Sequence, residues 1–231
     1  MRPCSTSMAP ASGASREVNS VRQAARPSEP TSQRILDAAR SLMTERELVD
    51  VPLADISERA GTNIALVSYY FGNREGLMLA IAEADAELAL ANLDRLLASD
   101  LKPTEKIASH IRGLIEAYFK RPYLHRLLEK LLRDGSPKAS ERVGLALVKP
   151  VADARAVVIA EGIRLGEFRE VDAGLMSVAI DGACSHLFSS VARRRAILGD
   201  GALNADLIDS YAREIVGLFA RGITAKATDD A

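Results

Sequence analysis

Tryptophan is absent from this 231-residue chain and aromatic residues make up only 4% of it, so any core must be built from aliphatic side chains. Only two cysteines occur. Cys4 lies in a polar stretch and Cys184 in an apolar one, which gives no disulfide framework. No run of 18 apolar residues is present, so no transmembrane helix is expected, and the first 30 residues lack the apolar stretch of a secretory leader. A cytoplasmic location is therefore expected. The three histidines, His110, His125 and His186, lack the spacing of metal ligands, and no glycine-rich phosphate cradle appears. No metal, no cofactor and no catalytic group are expected, and catalysis is the weakest reading. The net charge is −1, so bulk electrostatics does not announce a nucleic-acid partner.

What the chain does have is Ala and Leu in helical patterns. Hydrophobic residues reach 48%, enough for a packed core rather than disorder. Alternating strand patterns are missing, and about nine helices are expected in an all-α fold. Residues 1–30, rich in Ser, Pro, Ala and Arg, read as a flexible arm. Its Arg2, Arg16, Arg22 and Arg26 outnumber Glu17 and Glu29. Two readings stay open, an arm touching DNA phosphates or the minor groove and a plain disordered leader, and Met8 offers an alternative start.

From Thr31 the pattern becomes periodic. Ile35, Ala38, Ala39, Leu42 and Met43 form one apolar stripe, with Thr31 or Ser32 as the expected cap and an end near Arg46. A short helix is expected from Val51-Pro52, turning Leu53, Ile56 and Ala60 inward and stopping at Gly61. After a tight turn, Asn63 caps a third helix to about Tyr70. Gly72-Asn73 breaks it, and a long helix runs from Arg74 to about Ser99. Further breaks fall at Pro103, Pro122, Gly135-Ser136-Pro137, Gly166 and Gly199-Asp200-Gly201, while Pro150 is expected to kink or divide its helix.

Two short helices joined by a glycine turn are the layout of a helix-turn-helix, whose second helix enters the major groove. The exposed side of that helix carries Asn63, Ile64, Ala65, Ser68 and Tyr69. The segment LADISERAGTNIALVSYYFGNREGLMLAI (Leu53 to Ile81) resembles the DNA-binding signature of the TetR family of transcriptional regulators. Its elements are Ile56-Ser57, Ala60-Gly61, Tyr69-Tyr70-Phe71 and Asn73-Arg74-Glu75-Gly76-Leu77, and RILDAARSLM (Arg34 to Met43) is similar to the family's first helix. The resemblance implies that Asn63, Ile64, Ala65, Ser68 and Tyr69 face bases or nearby phosphates, and that Tyr70 and Arg74 hold phosphates. It also implies that Phe71 and Leu77 pack the small domain onto the fourth helix. The chain departs from the family where Val51-Pro52 replaces the usual Thr, where Ile64 stands for a basic residue and where Ser68 stands for Tyr. Over residues 31–77, Arg34, Arg40, Arg46, Arg59 and Arg74 are outnumbered by Asp37, Glu45, Glu47, Asp50, Asp55, Glu58 and Glu75. Base reading would then rest on Ser68, Tyr69 and Asn63 with apolar contact from Ile64 or Ala65.

The implied organisation is an arm (1–30), a helix-turn-helix domain (31–77), an effector-binding and dimerisation domain (78–223) and a flexible tail (224–231). EGIRLGEFREVD (Glu161 to Asp172) is similar to the segment joining the family's seventh and eighth helices. The last two long helices are expected to form a homodimer interface through Leu175, Val178, Ala179, Gly182, Ala183 and Val191 and through Ile208, Tyr211, Ile215, Leu218 and Phe219, with packing inside one chain as the alternative reading of these stripes. Tyr118, Tyr123, His125, Cys184, His186 and Phe188 lie on helices where relatives line an effector pocket, and a largely apolar small effector is implied. Each of the six also has an ordinary reading as a core or surface residue.

The function expected is a ligand-responsive repressor that binds a palindromic double-stranded DNA operator as a dimer, without a membrane partner. The effector would shift the fourth helix and so change the spacing of the two recognition helices, which must match about 34 Å of DNA. An activator, an effector-free regulator and a helical adaptor with a vestigial DNA-binding segment remain alternatives.

Overall fold

The computed structural model describes residues 29–224. The arginines of the N-terminal arm, together with Cys4 and Met8, and the tail from residue 225 onwards lie outside the described residues. Among those described, the secondary structure is helical, with one isolated antiparallel bridge between Phe168 and Thr224.

The first three helices are α1 (Glu29–Glu45), α2 (Leu53–Arg59) and α3 (Ile64–Phe71). Ile35, Ala38, Ala39, Leu42 and Met43 are all buried, as the stripe requires. Because α1 begins at Glu29, Thr31 and Ser32 lie in its first turn and are not its cap. Pro52, which makes no side-chain cap bond, stands at the start of α2. Ile56, Ala60 and Val67 are buried where α1, α2 and α3 meet. Gly61, at φ +62°, turns the chain between α2 and α3 in a backbone region that a side chain disfavours.

Helix α4 (Arg74–Leu97) crosses the expected boundary at residue 77 without a break. One end packs on α1 and α3, the rest on later helices. Its start is fixed by Asn73, whose side chain accepts a hydrogen bond from the Gly76 amide at 2.9 Å. A Cβ on Gly76 would sit 2.0 Å from the Phe71 carbonyl oxygen, so only glycine permits this close passage from α3 into α4.

The remaining helices are α5 (Pro103–Lys120), α6 (Tyr123–Arg133), α7 (Pro137–Val143), α8 (Lys149–Arg164), α9 (Ala173–Ser189), α10 (Val191–Leu198) and α11 (Ala205–Ile223). Eleven α-helices thus stand among the described residues where nine are expected from sequence. The first extra division is a π-helical turn, Gly144–Val148, between α7 and α8. Pro150 follows it within the first turn of α8, so the change in helical pattern falls just before the proline, at the π-turn. The second is at Ser190, where α9 and α10 meet at 89°. Ser190 is extended and its hydroxyl accepts from the Arg193 amide, so it caps α10 and ends α9. No single helix among the described residues is long and apolar enough to cross a membrane.

The loop between α8 and α9 is tied to the end of α11. Arg169 donates its amide to the Ile223 carbonyl and its Nε to that of Gly222, each at 2.8 Å. Phe168 is buried there against Gly162, where an added Cβ would fall 2.2 Å from the ring.

The structure corrects one expectation about the last helices. Ile208 and Ile215 are buried within the chain, because α11 packs on α5, and the Tyr211 hydroxyl donates to the Ala183 carbonyl. Ile208 and Ile215 of that stripe thus belong to the core of one chain, while Tyr211 and Phe219 are half-buried. By contrast Leu175 and Val178 on α9 are 72% and 71% exposed, and Leu218 on the outer side of α11 is 59% exposed.

Candidate nucleic-acid interface and ligand cavity

Helix α3 presents a mostly uncharged outer surface. Val67 faces the core, while Asn63, Ile64, Ala65, Ser68 and Tyr69 are exposed. Asn63 is also the N-cap, its Oδ1 accepting from the Leu66 amide at 2.9 Å, so only its NH₂ is left to donate outward. Tyr69 stands edge-on to Tyr70 at 5.8 Å, and Tyr70 lies half-buried against Phe71 at 5.9 Å. Gly72, at φ +76°, ends the helix. Arg74 is exposed at the start of α4, 3.7 Å from Asp50. The seven residues singled out from sequence thus lie on α3 or at its two ends, with Tyr70 the least available.

The acidic excess of this region is largely absorbed by pairing. Asp37 meets Arg40, Asp55 meets Arg46 and Glu45 meets Arg59. The double hydrogen bond from Arg59, with a further one from Ser41, holds the Glu45 carboxyl down at about 2. Helix α6 contributes two more cations: Lys130 pairs with Asp50 at 2.9 Å, and Arg126 donates to the Glu47 carbonyl. Glu75 accepts from the amide and hydroxyl of Ser136, at 2.8 and 2.6 Å, which lowers its pKa and ties the start of α4 to that of α7.

A cavity of about 480 Å³ opens in the body, walled by α4, α5, α6, the π-turn, α8 and α9. Its size falls within the range of small-molecule sites. Most of its wall is aliphatic, including Leu93, Leu96, Leu114, Leu128, Leu147 and Val148. Asn92, Ser109, His125, Glu129 and Ser185 also lie on it, and two hydrogen-bonded polar groupings interrupt it. At one, Asp85 of α4, itself buried, accepts from the Tyr123 hydroxyl at 2.9 Å, from Arg40 of α1 at 3.3 Å and from Arg121 at 3.4 Å. Burial, with the Asp85 charge beside it, pushes the Tyr123 hydroxyl well above its usual pKa. At the other, Arg155 of α8 is 1% exposed. Its guanidinium donates to His110 Nε2 at 2.9 Å, the Ser177 carbonyl at 3.2 Å and Asp181 at 2.6 Å. Burial and the adjacent Arg155 charge lower the His110 imidazole to about 4, so it is neutral at physiological pH.

Of the six effector-pocket candidates, Tyr118 and His125 line this cavity. Phe188 lies behind Tyr118, with ring centres 5.7 Å apart, and borders a separate recess near Glu47 and Arg194. Tyr123 reaches the cavity only through Asp85. Cys184 is fully buried in the core and burial pushes its thiol up to about 12, while His186 is exposed beside Arg193. The groups that sequence reasoning missed are Asp85, His110, Arg121, Arg155 and Asp181. A faint signal existed for Arg155, which interrupts the apolar run of α8. No cluster able to hold a metal ion occurs among the described residues.

Two short helices at a glycine turn, the second one exposed, joined to a cavity-bearing helical body, define a helix-turn-helix protein of the regulator class. Residues 35–81 match the model of bacterial regulatory proteins of the tetR family, and residues 100–229 match that of the tetracyclin repressor-like C-terminal domain. The chain belongs to the TetR family of transcriptional regulators, which are DNA-binding helix-turn-helix proteins. It is 26% identical over 99 residues to the HTH-type transcriptional regulator BetI 1 of Chromohalobacter salexigens, a match covering 42% of this chain and 47% of that relative. The aligned part therefore spans about half the relative's length.

Solved structures share the fold. A TetR/AcrR-family regulator of Thermobifida fusca superposes with a TM-score of 0.62 at 22% identity, over 80% of this chain and 96% of that one. FadR of Bacillus subtilis, solved in complex with stearoyl-CoA, gives 0.67 at 18% identity over 83% and 98%.

Proposed function

We propose that this regulator is a ligand-responsive repressor that binds a palindromic operator as a homodimer. Helix α3 enters the major groove, where Ile64 and Ala65 meet thymine methyls and Ser68 and Tyr69 hydrogen-bond to base edges. The Asn63 amide, Tyr70 and Arg74 hold the flanking phosphates. The exposed Leu175 and Val178 of α9, with Ala179 and Gly182 beside them, supply a self-complementary surface with small residues that allow close approach.

The observation that carries the ligand response is the position of Asp85. It lines the cavity and, in the same carboxylate, holds Arg40 of α1. A molecule that displaces or reorients Asp85 changes the hold of the body on the helix against which α2 and α3 pack. That gives the cavity and the DNA-contacting helix one shared element, as coupling between two sites requires. The complex of FadR with stearoyl-CoA supports a ligand role for a cavity in this fold.

Footprinting of the chain's own upstream DNA, paired with sedimentation of the protein, tests this reading. The expected result is a dimer protecting two half-sites about 10 bp apart. A monomer, or DNA with no protected region, would overturn it.

A further inference from the structure

The second recess, of about 340 Å³, lies between the end of α5, α6 and α10 and shares no lining residue with the larger cavity. Three arginines line it, Arg126 from α6 and Arg194 and Arg195 from α10. Two carboxylates face them, Glu47 from the turn between α1 and α2 and Asp200 from the loop after α10. Neither carboxylate comes within hydrogen-bond reach of a guanidinium. Glu47 stands 3.9 Å from Arg126, and Asp200, 98% exposed, stands 3.9 Å from Arg195.

Arg194 is half-buried, yet its guanidinium has no hydrogen-bond or ion-pair partner among the described residues. Its Nε, like that of Arg126, is shut off from solvent and unpaired. The edge carrying Nε and one Nη is one that an arginine offers to a carboxylate or phosphate. Arg126 is anchored through another nitrogen, the Nη1 that donates to the Glu47 carbonyl. Guanidinium charge withdrawn from water without a partner is costly, and an anion that pairs with it recovers that cost. A cation would meet three positive groups against two negative ones. The rest of the wall, which includes the rings of Phe119 and Phe188, is apolar.

We propose that this recess is an oxyanion site, separate from the effector cavity, in which Arg126, Arg194 and Arg195 hold the carboxylate or phosphate group of a small molecule. Arg194 is its principal ligand, because no other group claims that charge. Glu47 is the nearest carboxylate to Arg126 and competes with the entering anion. Phe119 and Phe188 offer a surface to the apolar part of an organic acid. The shared chemistry is the oxyanion; free phosphate and an aromatic acid are separated by experiment. The inference is independent of the ligand-responsive reading of the larger cavity.

Calorimetric titration of the full-length protein at pH 7.5 and low ionic strength with inorganic phosphate, benzoate and benzylamine tests it. Phosphate, benzoate or both bind, and benzylamine binds at least about tenfold more weakly than the better of them. Arg194→Gln, which breaks no contact within the protein, lowers the affinity for that anion about tenfold and leaves the denaturation midpoint unmoved. Glu47→Gln removes the competing charge and raises the affinity about threefold. NMR of the arginine Nε–H groups gives a readout that needs no substitution: the Arg126 and Arg194 signals move on addition of the anion. Binding by neither anion, benzylamine binding as tightly as the better one, unmoved arginine signals, or an affinity not raised in Glu47→Gln would each overturn the proposal. So would an affinity unaltered in Arg194→Gln, which would put the anion in the larger cavity instead.

Discussion

The Arg40 guanidinium on α1 lies 3.3 Å from the Asp85 carboxylate on α4, joining the first helix of the DNA-contacting segment to the wall of the cavity. Arg40 and Arg121 are about a fifth and a quarter exposed, whereas Asp85 is almost wholly buried, so the carboxylate is the costly member to disturb. Asp85→Asn keeps the shape and removes the charge that two arginines share. A loss of about 1–3 kcal/mol in urea denaturation is expected, below the full value of a buried pair because both arginines reach solvent. The ratio of operator affinities with and without a cavity ligand should also fall towards one. Unchanged stability together with an unchanged ratio would remove Asp85 from the coupling.

Tyr69 and Val67 are two residues apart and point to opposite sides of α3, which separates reading DNA from holding the fold. Tyr69 is 51% exposed and Val67 is 1% exposed. Tyr69→Ala should weaken operator binding by about 1–3 kcal/mol and leave the denaturation midpoint nearly unmoved. Val67→Ala should lower stability by about 1–3 kcal/mol through the void it leaves. Parallel titrations of DNA and denaturant check both, and a Tyr69→Ala protein with full operator affinity contradicts the assigned role.

His110 sets an acid limit. The fold holds its imidazole at about 4, below the ordinary 6.5, because of burial and then the Arg155 charge. As pH falls, the unfolded chain takes up this proton first, so the contribution to stability is complete above 6.5 and is lost progressively towards 4. The loss from this group is of the order of 2–3 kcal/mol by the lower limit. His125, lowered chiefly by burial, acts in the same direction. An NMR titration should find His110 still neutral at pH 5.5. A midpoint near 6.5 would contradict the buried pairing with Arg155.

Gly162 tests the packing that fixes the turn from α8 into α9. An added methyl would fall 2.2 Å from the buried Phe168 ring, which is held in place by the bridge to Thr224. Gly162→Ala should therefore destabilise by about 1–3 kcal/mol, against the usual gain from replacing a helical glycine. A melting temperature at or above that of the parent would show that Phe168 has room to move.

Sequence periodicity located the elements well where the signal was local. Asn63 and Gly72 bound α3, and the stripe from Ile35 to Met43 gives α1 its buried face, because capping and amphipathicity depend on residues a few positions apart. The same logic was less decisive for α11. A stripe such as Ile208 to Ile215 shows that a face is buried, without naming the partner, and here the partner is α5 of the same chain. The acidic excess of residues 31–77 was misleading for a related reason. Lys130 and Arg126, far along the chain on α6, lie against Asp50 and Glu47. Most of all, His110, Arg155 and Asp181 come from three different helices, separated by 45 and 26 positions. No local pattern marks such a group; only the packing of α5, α8 and α9 assembles it.

The central claim is that α3 reads a particular DNA sequence. Fluorescence anisotropy of the full-length protein on its own upstream DNA and on a scrambled duplex, across a salt series, tests it most directly. Tight binding that favours the native fragment at every salt concentration, and loses that preference in Tyr69→Ala, is the expected result. Equal and weak binding to both duplexes, unaltered by Tyr69→Ala, would contradict it.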